Sequence, residues 1–301
     1  MKCYLILGGT GLIGSAMCKH LLDQGHQVMV MSRDPDKVKA QFEMKVCPIR
    51  SLSEIRPDVV IDVVINLAGE AIADRRWSKK HKGVIESSRI GLTEKLVEWL
   101  SAREQKPECL ISGSAVGWYG DGGDKILIEQ STFNDEYTHR LCDEWEQRAL
   151  RAASLGIRVC IIRTGLVLSA NGGILKKMSQ PIKFGVGGRL GSGDQYMPWI
   201  HIDDMVAILD FLVVNEQLKG VFNACSPNPV SNRVFTKILA KTMRRYALLA
   251  VPACLLKILL GEMSRLLLTG QRAIPKHMVD NGFRFTYPEL APALSALLIK
   301  K

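Results

Sequence analysis

Seven residues near the N-terminus carry the most legible chemistry of the chain. Gly8-Gly-Thr-Gly11-Leu-Ile-Gly14 follows the apolar run Cys3 to Leu7 and precedes a stretch of helical spacing, Ser15 to Gln24. In that context one glycine permits a tight turn, another lets the backbone approach a pyrophosphate, and a third lets helix and strand pack closely. The helix N-terminus adds N–H donors and a positive dipole end. Dinucleotide binding is the chemistry implied; a glycine-rich connection without a ligand is the alternative. The next strand selects the dinucleotide. An NAD site usually ends it in Asp or Glu, which binds the ribose 2′-hydroxyl. Here it ends Val30-Met31-Ser32-Arg33, and the first acid, Asp34, comes one place late. A hydroxyl beside a guanidinium fork suits a 2′-phosphate, so NADP is expected over NAD, with Arg33 as a solvated loop residue the competing reading.

Elements of two kinds must position this turn. Cys3 to Leu7, Gln27 to Met31, Val59 to Leu67, Cys109 to Ile111 and Arg158 to Ile162 are short apolar runs. Between them, Ser15 to Gln24, Gly91 to Leu100 and Leu141 to Ala153 have helical periodicity. Strands alternating with such helices imply βαβ units and a parallel sheet. After about Leu168 the rhythm changes. Asn171 to Gly193 is glycine-rich and reads as loop, Ile202 to Asn215 as a helix with Asp203 and Asp204 in its first turn, and Val221 to Asn223 as a strand. Ser231 is a plausible N-cap for a helix reaching about Arg245. The remainder reads as helical with turns at Pro252, Gly261 and Gly270. The fold class expected is α/β, a doubly wound parallel Rossmann sheet with a smaller, mostly helical C-terminal substrate domain. Residues 1–170 form the dinucleotide-binding part, with 200–224 returning to it, and 171–199 and 225–301 form the cap.

The 301 residues are 47% hydrophobic and 23% charged, which excludes disorder and fibrous structure. The net charge of +10 raises nucleic acid, membrane or an anionic ligand as partners. Its location narrows these. From Arg233 onward twelve Lys/Arg face three acids, so that stretch holds +9, whereas the preceding residues hold 28 bases and 27 acids. Aromatic interleaving for bases is missing there, so no nucleic acid is expected. Tyr246 to Leu268 is broken by Pro252, Lys257, Gly261, Glu262 and Arg265 and fails as a transmembrane span. The first apolar run is too short for a signal peptide. The eight cysteines (3, 18, 47, 109, 142, 160, 225, 254) show no CxxC and no metal-ligand spacing. Several lie in apolar runs, such as Cys3 and Cys160, and read as core thiols of a cytoplasmic protein, with no metal expected. Leu255-Leu256 with Leu259-Leu260 read as core and as a surface for a homodimer.

The glycine spacing resembles the extended, epimerase-like branch of the short-chain dehydrogenase/reductases. Val64-Ile-Asn-Leu-Ala-Gly69, Ser112-Gly-Ser114-Ala-Val-Gly-Trp-Tyr-Gly120 and Trp199-Ile-His201-Ile-Asp-Asp204 resemble three further segments of that branch. With Gly69-Glu70, Arg76-Trp77, Ser88-Arg89, Leu141 to Glu146, Gly191-Ser-Gly193 and Gly270-Gln-Arg272, nearly the whole chain is similar to the atypical "epimerase family protein" group. That group is nucleoside-diphosphate-sugar epimerase-like and carries a C-terminal domain of unknown function, here about Val251 to Leu298. The resemblance implies cofactor contacts at Gly8, Thr10, Gly11, Leu12, Ile13, Ser32, Arg33, Leu67, Ala68, Gly69, Arg89 and Arg163. Leu67 to Gly69 and Arg163 also end strands on the edge where such sheets bind ligands, although either arginine could instead close a structural ion pair.

The superfamily's chemistry rests on a Tyr-x-x-x-Lys pair, whose spacing puts both side chains on one helical face, and on a nearby serine. The lysine's charge favours tyrosinate. No tyrosine of this chain has lysine four residues on. Tyr137 stands nearest the expected place but is followed by Thr138, His139, Arg140 and Leu141. The expected catalytic residues are therefore Ser114, with Ser112 the fallback, and Tyr137, with Arg140 as a compensating charge. Cys142 and His201 read as structural, and Asp203 and Asp204 as partners of the helix dipole. Gly185 to Gly193, with Arg189, could fold over a diphosphate. Two functions are implied: an NADP-dependent oxidoreductase or epimerase acting on a small, anionic, sugar-nucleotide-like or other carbonyl or hydroxyl substrate, or a catalytically impaired NADP-sensing regulator, as the cell-division label of some relatives suggests. A basic-surface interaction protein is the third reading.

Overall fold

The computed structural model describes residues 1–247 and 249–299, so Lys300 and Lys301 of the basic tail lie outside the described residues. In chain order, β1 (Cys3–Leu7), α1 (Leu12–Asp23), β2 (Gln27–Met31), α2 (Pro35–Gln41), β3 (Cys47–Ile49), β4 (Val63–Asn66), α3 (Lys79–Glu86), α4 (Leu92–Ser101) and β5 (Cys109–Ala115) come first. They are followed by β6 (Ile126–Leu127), α5 (Tyr137–Leu150), β7 (Arg158–Thr164), β8 (Leu166–Ser169), α6 (Gly173–Lys183), β9 (Gly188–Leu190), β10 (Tyr196–Met197) and β11 (Trp199–His201). Then come α7 (Ile202–Val214), β12 (Gly220–Ala224), β13 (Val230–Ser231), α8 (Asn232–Thr242), β14 (Leu249–Val251), α9 (Ala253–Leu260), α10 (Arg265–Leu268), β15 (Arg272–Ala273), α11 (Lys276–Asp280) and α12 (Leu290–Leu298).

Seven strands form one parallel sheet in the order β12-β7-β5-β4-β1-β2-β3. This is the Rossmann-like α/β sheet expected from the alternating runs. Successive side chains point to opposite faces, and both faces are covered. Ile6, Val30, Ile65 and Ile111 pack with Met17 and Leu21 of α1 and Met205 and Leu209 of α7. Leu5, Leu7, Val64 and Leu110 pack with Leu96 and Leu100 of α4 and Ala149 of α5. Burial on both sides explains why these strands read as continuous apolar runs rather than alternating ones. A third cluster lies apart from the sheet, where Trp199, Phe235, Leu239, Leu290 and Leu294 meet Leu175 and Ile182 of α6.

Three local readings are corrected. The glycine-rich stretch 171–193 is not mainly loop, because 173–183 fold as α6. Its glycines fall at the two ends, and Leu175 and Ile182 between them are buried against the third cluster. Helix α5 begins at Tyr137, four residues before the expected Leu141. Tyr137, Leu141, Trp145 and Ala149 stand at a spacing of four, but the polar tip of the tyrosine hides the first member of the stripe. The last quarter is not helix and turn alone. β14 pairs in parallel with β9, and β15 with β6, so two short strands tie it to earlier segments.

Candidate active site

The strand order reverses between β1 and β4, and open α/β sheets bind ligands in the crevice outside the carboxyl ends at that point. Gly8 leaves β1 with φ +83°, a conformation that favours glycine. The Gly11 amide donates to the Gly8 carbonyl at 3.0 Å. A Cβ at Gly14 would lie 2.3 Å from that same carbonyl oxygen, so only glycine lets α1 seat against the turn. The result is a groove of about 620 Å³ at the sheet edge, lined by Gly8, Thr10, Gly11, Ser32 and Arg33 and by Leu67, Ala68 and Gly69 after β4.

At the far end of this groove Arg33 leaves β2 almost free, its side chain 93% exposed and 3.6 Å from Glu70. Asp34, the late acid, is occupied: its carboxylate caps α2 by accepting from the Lys37 amide at 3.0 Å, and its own amide donates to Ser32 Oγ. The first acid after β2 is therefore not turned toward the groove, where the nearest carboxylate to Arg33 is Glu70. Arg50, just past the end of β3, lines the same groove, as does Lys95 from α4. Sequence reasoning missed both, since nothing in their local pattern distinguishes them from surface bases; only the β2–β3 pairing brings Arg50 beside Arg33.

Between α3 and α4 the chain makes a π-helical turn, Ser87–Gly91, a feature frequent at functional sites. It turns Ser88 to accept from the Glu70 amide at 2.9 Å and lays the Arg89 guanidinium against Gly69, whose Cβ would lie 2.8 Å from the guanidinium carbon. Arg89 makes only long contacts, 3.4 Å to the Ile85 carbonyl and 3.5 Å to Ser88 Oγ, and among the described residues it forms no salt bridge. Burial lowers its pKa from the ordinary value, opposed by Cys142, Tyr137 and Glu70.

Four of the expected cofactor residues lie elsewhere than the groove lining. Leu12 and Ile13 pack their side chains on the core at the start of α1. Arg89 stands behind Gly69. Arg163 is the outright correction. It is 3% exposed, forms a bidentate pair with Glu146 at 2.9 Å on both nitrogens, and lies 3.5 Å over the Trp118 ring. Its fork is spent on a structural ion pair.

The same pair corrects Ser114. Its hydroxyl donates to Glu146 at 2.6 Å and is buried between β5 and α5, so Ala115, the next residue, reaches the neighbouring chamber in its place. Ser112 is fully buried too. Tyr137 does reach the chamber. This cavity of about 640 Å³ lies between Trp77, Tyr137 and Leu141 on one side and Gly165, Ile174 and Leu266 on the other. The Tyr137 hydroxyl is buried close to the Glu86 carboxylate. Desolvation raises its pKa from the ordinary value, and the Glu86 carboxylate raises it further. A lysine does accompany it, from another element: Lys82 of α3 stands 4.3 Å over the Tyr137 ring, with its charge held by Glu262 at 2.7 Å. It lies over the ring face, which is not the position of a charge that would stabilise tyrosinate.

Arg140 does not compensate for the lysine. It points outward and pairs with Asp135 at 2.6 Å. Leu141, in the lysine's place, is buried in the chamber wall. Cys142 is structural, its thiol pushed up to about 12 by burial. His201 accepts from the Asp203 amide at 3.1 Å and stacks on Tyr287 at 3.9 Å. Asp204 departs from the dipole reading: buried, it accepts from the Thr286 and Tyr287 amides at 2.8 and 2.9 Å and ties the C-terminal segment to α7. Arg189 lies exposed at the strand β9 and lines neither groove nor chamber.

With this geometry in view, the model of the NAD dependent epimerase/dehydratase family matches residues 4–225. The chain belongs to that family. A domain of unknown function (DUF1731) matches residues 251–297. Within the epimerase family, the chain is 38% identical over 296 residues to the epimerase family protein YfhF of Bacillus subtilis, covering 97% of this chain and 96% of that one. The human epimerase family protein SDR39U1, solved with NADPH, is 29% identical with a TM-score of 0.87 over 98% of both chains. A Corynebacterium glutamicum structure described as a nucleoside-diphosphate sugar epimerase is 32% identical, with a TM-score of 0.79 over 99% of this chain and 58% of that one. No described helix of this family member is long and apolar enough to cross a membrane.

Proposed function

We propose that the protein is an NADP-dependent oxidoreductase acting on a carbonyl or hydroxyl compound held in the chamber beside Tyr137. The observation that carries the reading is the Tyr137 hydroxyl, a buried proton donor in the chamber wall beside the Glu86 carboxylate. The groove residues fit the cofactor. Ser32, Arg33 and Arg50 suit a 2′-phosphate, the Gly8–Gly14 turn suits a pyrophosphate, and Arg89, half-buried with no salt bridge among the described residues, suits a further anionic oxygen. The NADPH-containing human relative supports the same choice. When bound, the nicotinamide supplies a hydride to a carbonyl carbon. Tyr137 gives its proton to the carbonyl oxygen and recovers it from solvent. A phenol whose pKa is raised stays protonated at neutral pH, the form that the reductive direction requires. The free thiols suit a reducing, cytoplasmic setting, and residues 171–199 and 225–301 are proposed as the substrate-covering part.

Leu141 in the lysine's place supports a second reading, an NADP-sensing protein without turnover. Titration of NADPH and NADH, followed by single-turnover NADPH oxidation against a carbonyl panel, separates the two. Turnover lost in Tyr137→Phe with NADPH binding kept supports the oxidoreductase; tight NADPH binding without turnover on any carbonyl supports the sensor; equal affinity for NADH would remove the NADP preference.

A further inference from the structure

Beyond the Tyr137 chamber lies a second cavity of about 300 Å³, and Ala73, Ile174, Lys177, Leu266 and Leu267 line both. The two are thus separated by no more than the side chains they share. The second cavity is walled by Met178, Pro181 and Ile182 of α6, Leu190 of β9, Val251 of β14 and Leu260 of α9. On one side of it β9 and β14 pack backbone to backbone. A Cβ at Gly188 would lie 1.2 Å from the Leu249 carbonyl oxygen and one at Gly187 would lie 2.6 Å from the Ile182 amide nitrogen. In this apolar wall one side-chain hydroxyl stands out. Thr236 of α8 is 3% exposed, and its Oγ1 has no hydrogen-bond partner, not even the carbonyl one helical turn back that threonine commonly uses. A buried hydroxyl left unpaired carries a desolvation cost that a ligand oxygen would remove.

The charges around the first chamber are already committed. Arg265 holds Glu136, Lys177 holds Asp74 at 2.6 Å, and Glu262 holds Lys82. Three carboxylates and two cations belong to its lining. A diphosphate entering there would have to displace a carboxylate from each cation it used and would meet an excess of negative charge. An apolar body meets neither obstacle and gains from leaving water.

We propose that the substrate is an elongated, largely apolar aldehyde, ketone or alcohol: its reacting oxygen meets Tyr137, its body passes into the second cavity, and a hydroxyl or carbonyl near its far end pairs with Thr236. The proposal deepens the oxidoreductase reading and rests on it. In the reductive direction the carbonyl becomes an alcohol as NADPH is oxidised, with the proton taken from Tyr137 and replaced from solvent.

The test measures kcat/KM for NADPH oxidation with straight-chain aldehydes from four to fourteen carbons, and in parallel the binding of the matching alcohols by calorimetry. The expected result is a gain of about fourfold per buried methylene until the cavity is filled. Thr236→Val, which keeps the shape, is expected to improve methyl-ended chains and weaken those with a terminal hydroxyl severalfold. Val251→Trp, which fills the cavity, is expected to abolish the length dependence while short aldehydes still react. Rates independent of length, or a preference for nucleoside-diphosphate sugars, overturn the proposal and leave the oxidoreductase standing. Length-dependent alcohol binding without any NADPH oxidation keeps the apolar ligand and overturns the oxidoreductase. Neither binding nor turnover overturns both.

Discussion

A guanidinium is worth what its second partner leaves it. Arg163, Arg33 and Arg89 look alike in sequence, yet Glu146 consumes the first, solvent surrounds the second and the third is half-buried with only long hydrogen bonds. Hydrogen bonds to charged groups contribute about 1.5–3 kcal/mol. Replacing Arg33 or Arg50 by Ala is therefore expected to weaken NADPH about 10- to 100-fold while leaving NADH unchanged, a difference readable by fluorescence titration. Tyr137→Phe removes a general acid and is expected to slow single-turnover reduction by about 10²–10⁴-fold with NADPH affinity kept. Burial raises the phenol's pKa above its ordinary 10, so the protonated, donating form persists as pH rises. The reductive rate should stay level from pH 6 to 9 in stopped-flow measurements. A fall with an apparent pKa inside that range would show a tyrosinate that the buried phenol does not support.

Elements decide which residues can meet. The α1 helix reaches the turn only because Gly14 and Gly8 nearly touch, so Gly14→Ala, with its Cβ 2.3 Å from the Gly8 oxygen, must push the helix outward. A loss of about 1–3 kcal/mol in chemical denaturation is expected from overpacking of this kind, together with a larger loss of cofactor binding than the stability change explains. Helix α5 carries the opposite case. Glu146 faces Arg163 and Ser114 inside the molecule, and removing one member of a buried pair typically costs about 3–5 kcal/mol. Glu146→Ala is expected to lower the denaturation midpoint sharply, whereas Arg140→Ala, at the exposed Asp135 pair, should change stability by less than about 1 kcal/mol and leave turnover intact.

At the scale of the whole molecule, a buried carboxylate on α7 helps tie the C-terminal segment to the rest of the fold. Asp204 of α7 accepts from two consecutive amides, Thr286 and Tyr287. Asp204→Ala should lower stability by about 3 kcal/mol and expose 284–299 to proteolysis before the rest, with saturating NADPH slowing that cleavage if the cofactor stabilises the assembled form. The parallel sheet, the glycine turn and the absence of an acid at the end of β2 were all determined by the sequence itself, because strand burial, φ-permissive glycines and residue type act within a few positions along the chain. Tertiary structure alone decided the rest. Arg163 was read as a site residue from the resemblance and its strand end, and Ser114 from the resemblance, but both side chains meet Glu146, seventeen or more residues away. Arg50 and Lys82 reach the groove and Tyr137 through strand pairing and helix packing that no local spacing records. The positive charge that marked the tail is, where described, spread over exposed faces and ion pairs, while the apolar cavity beneath it arises only when α6, α8, α9 and β14 close on one another. A partner in the fold determines whether a polar side chain is chemistry or structure, and partners are set by contacts distant in sequence.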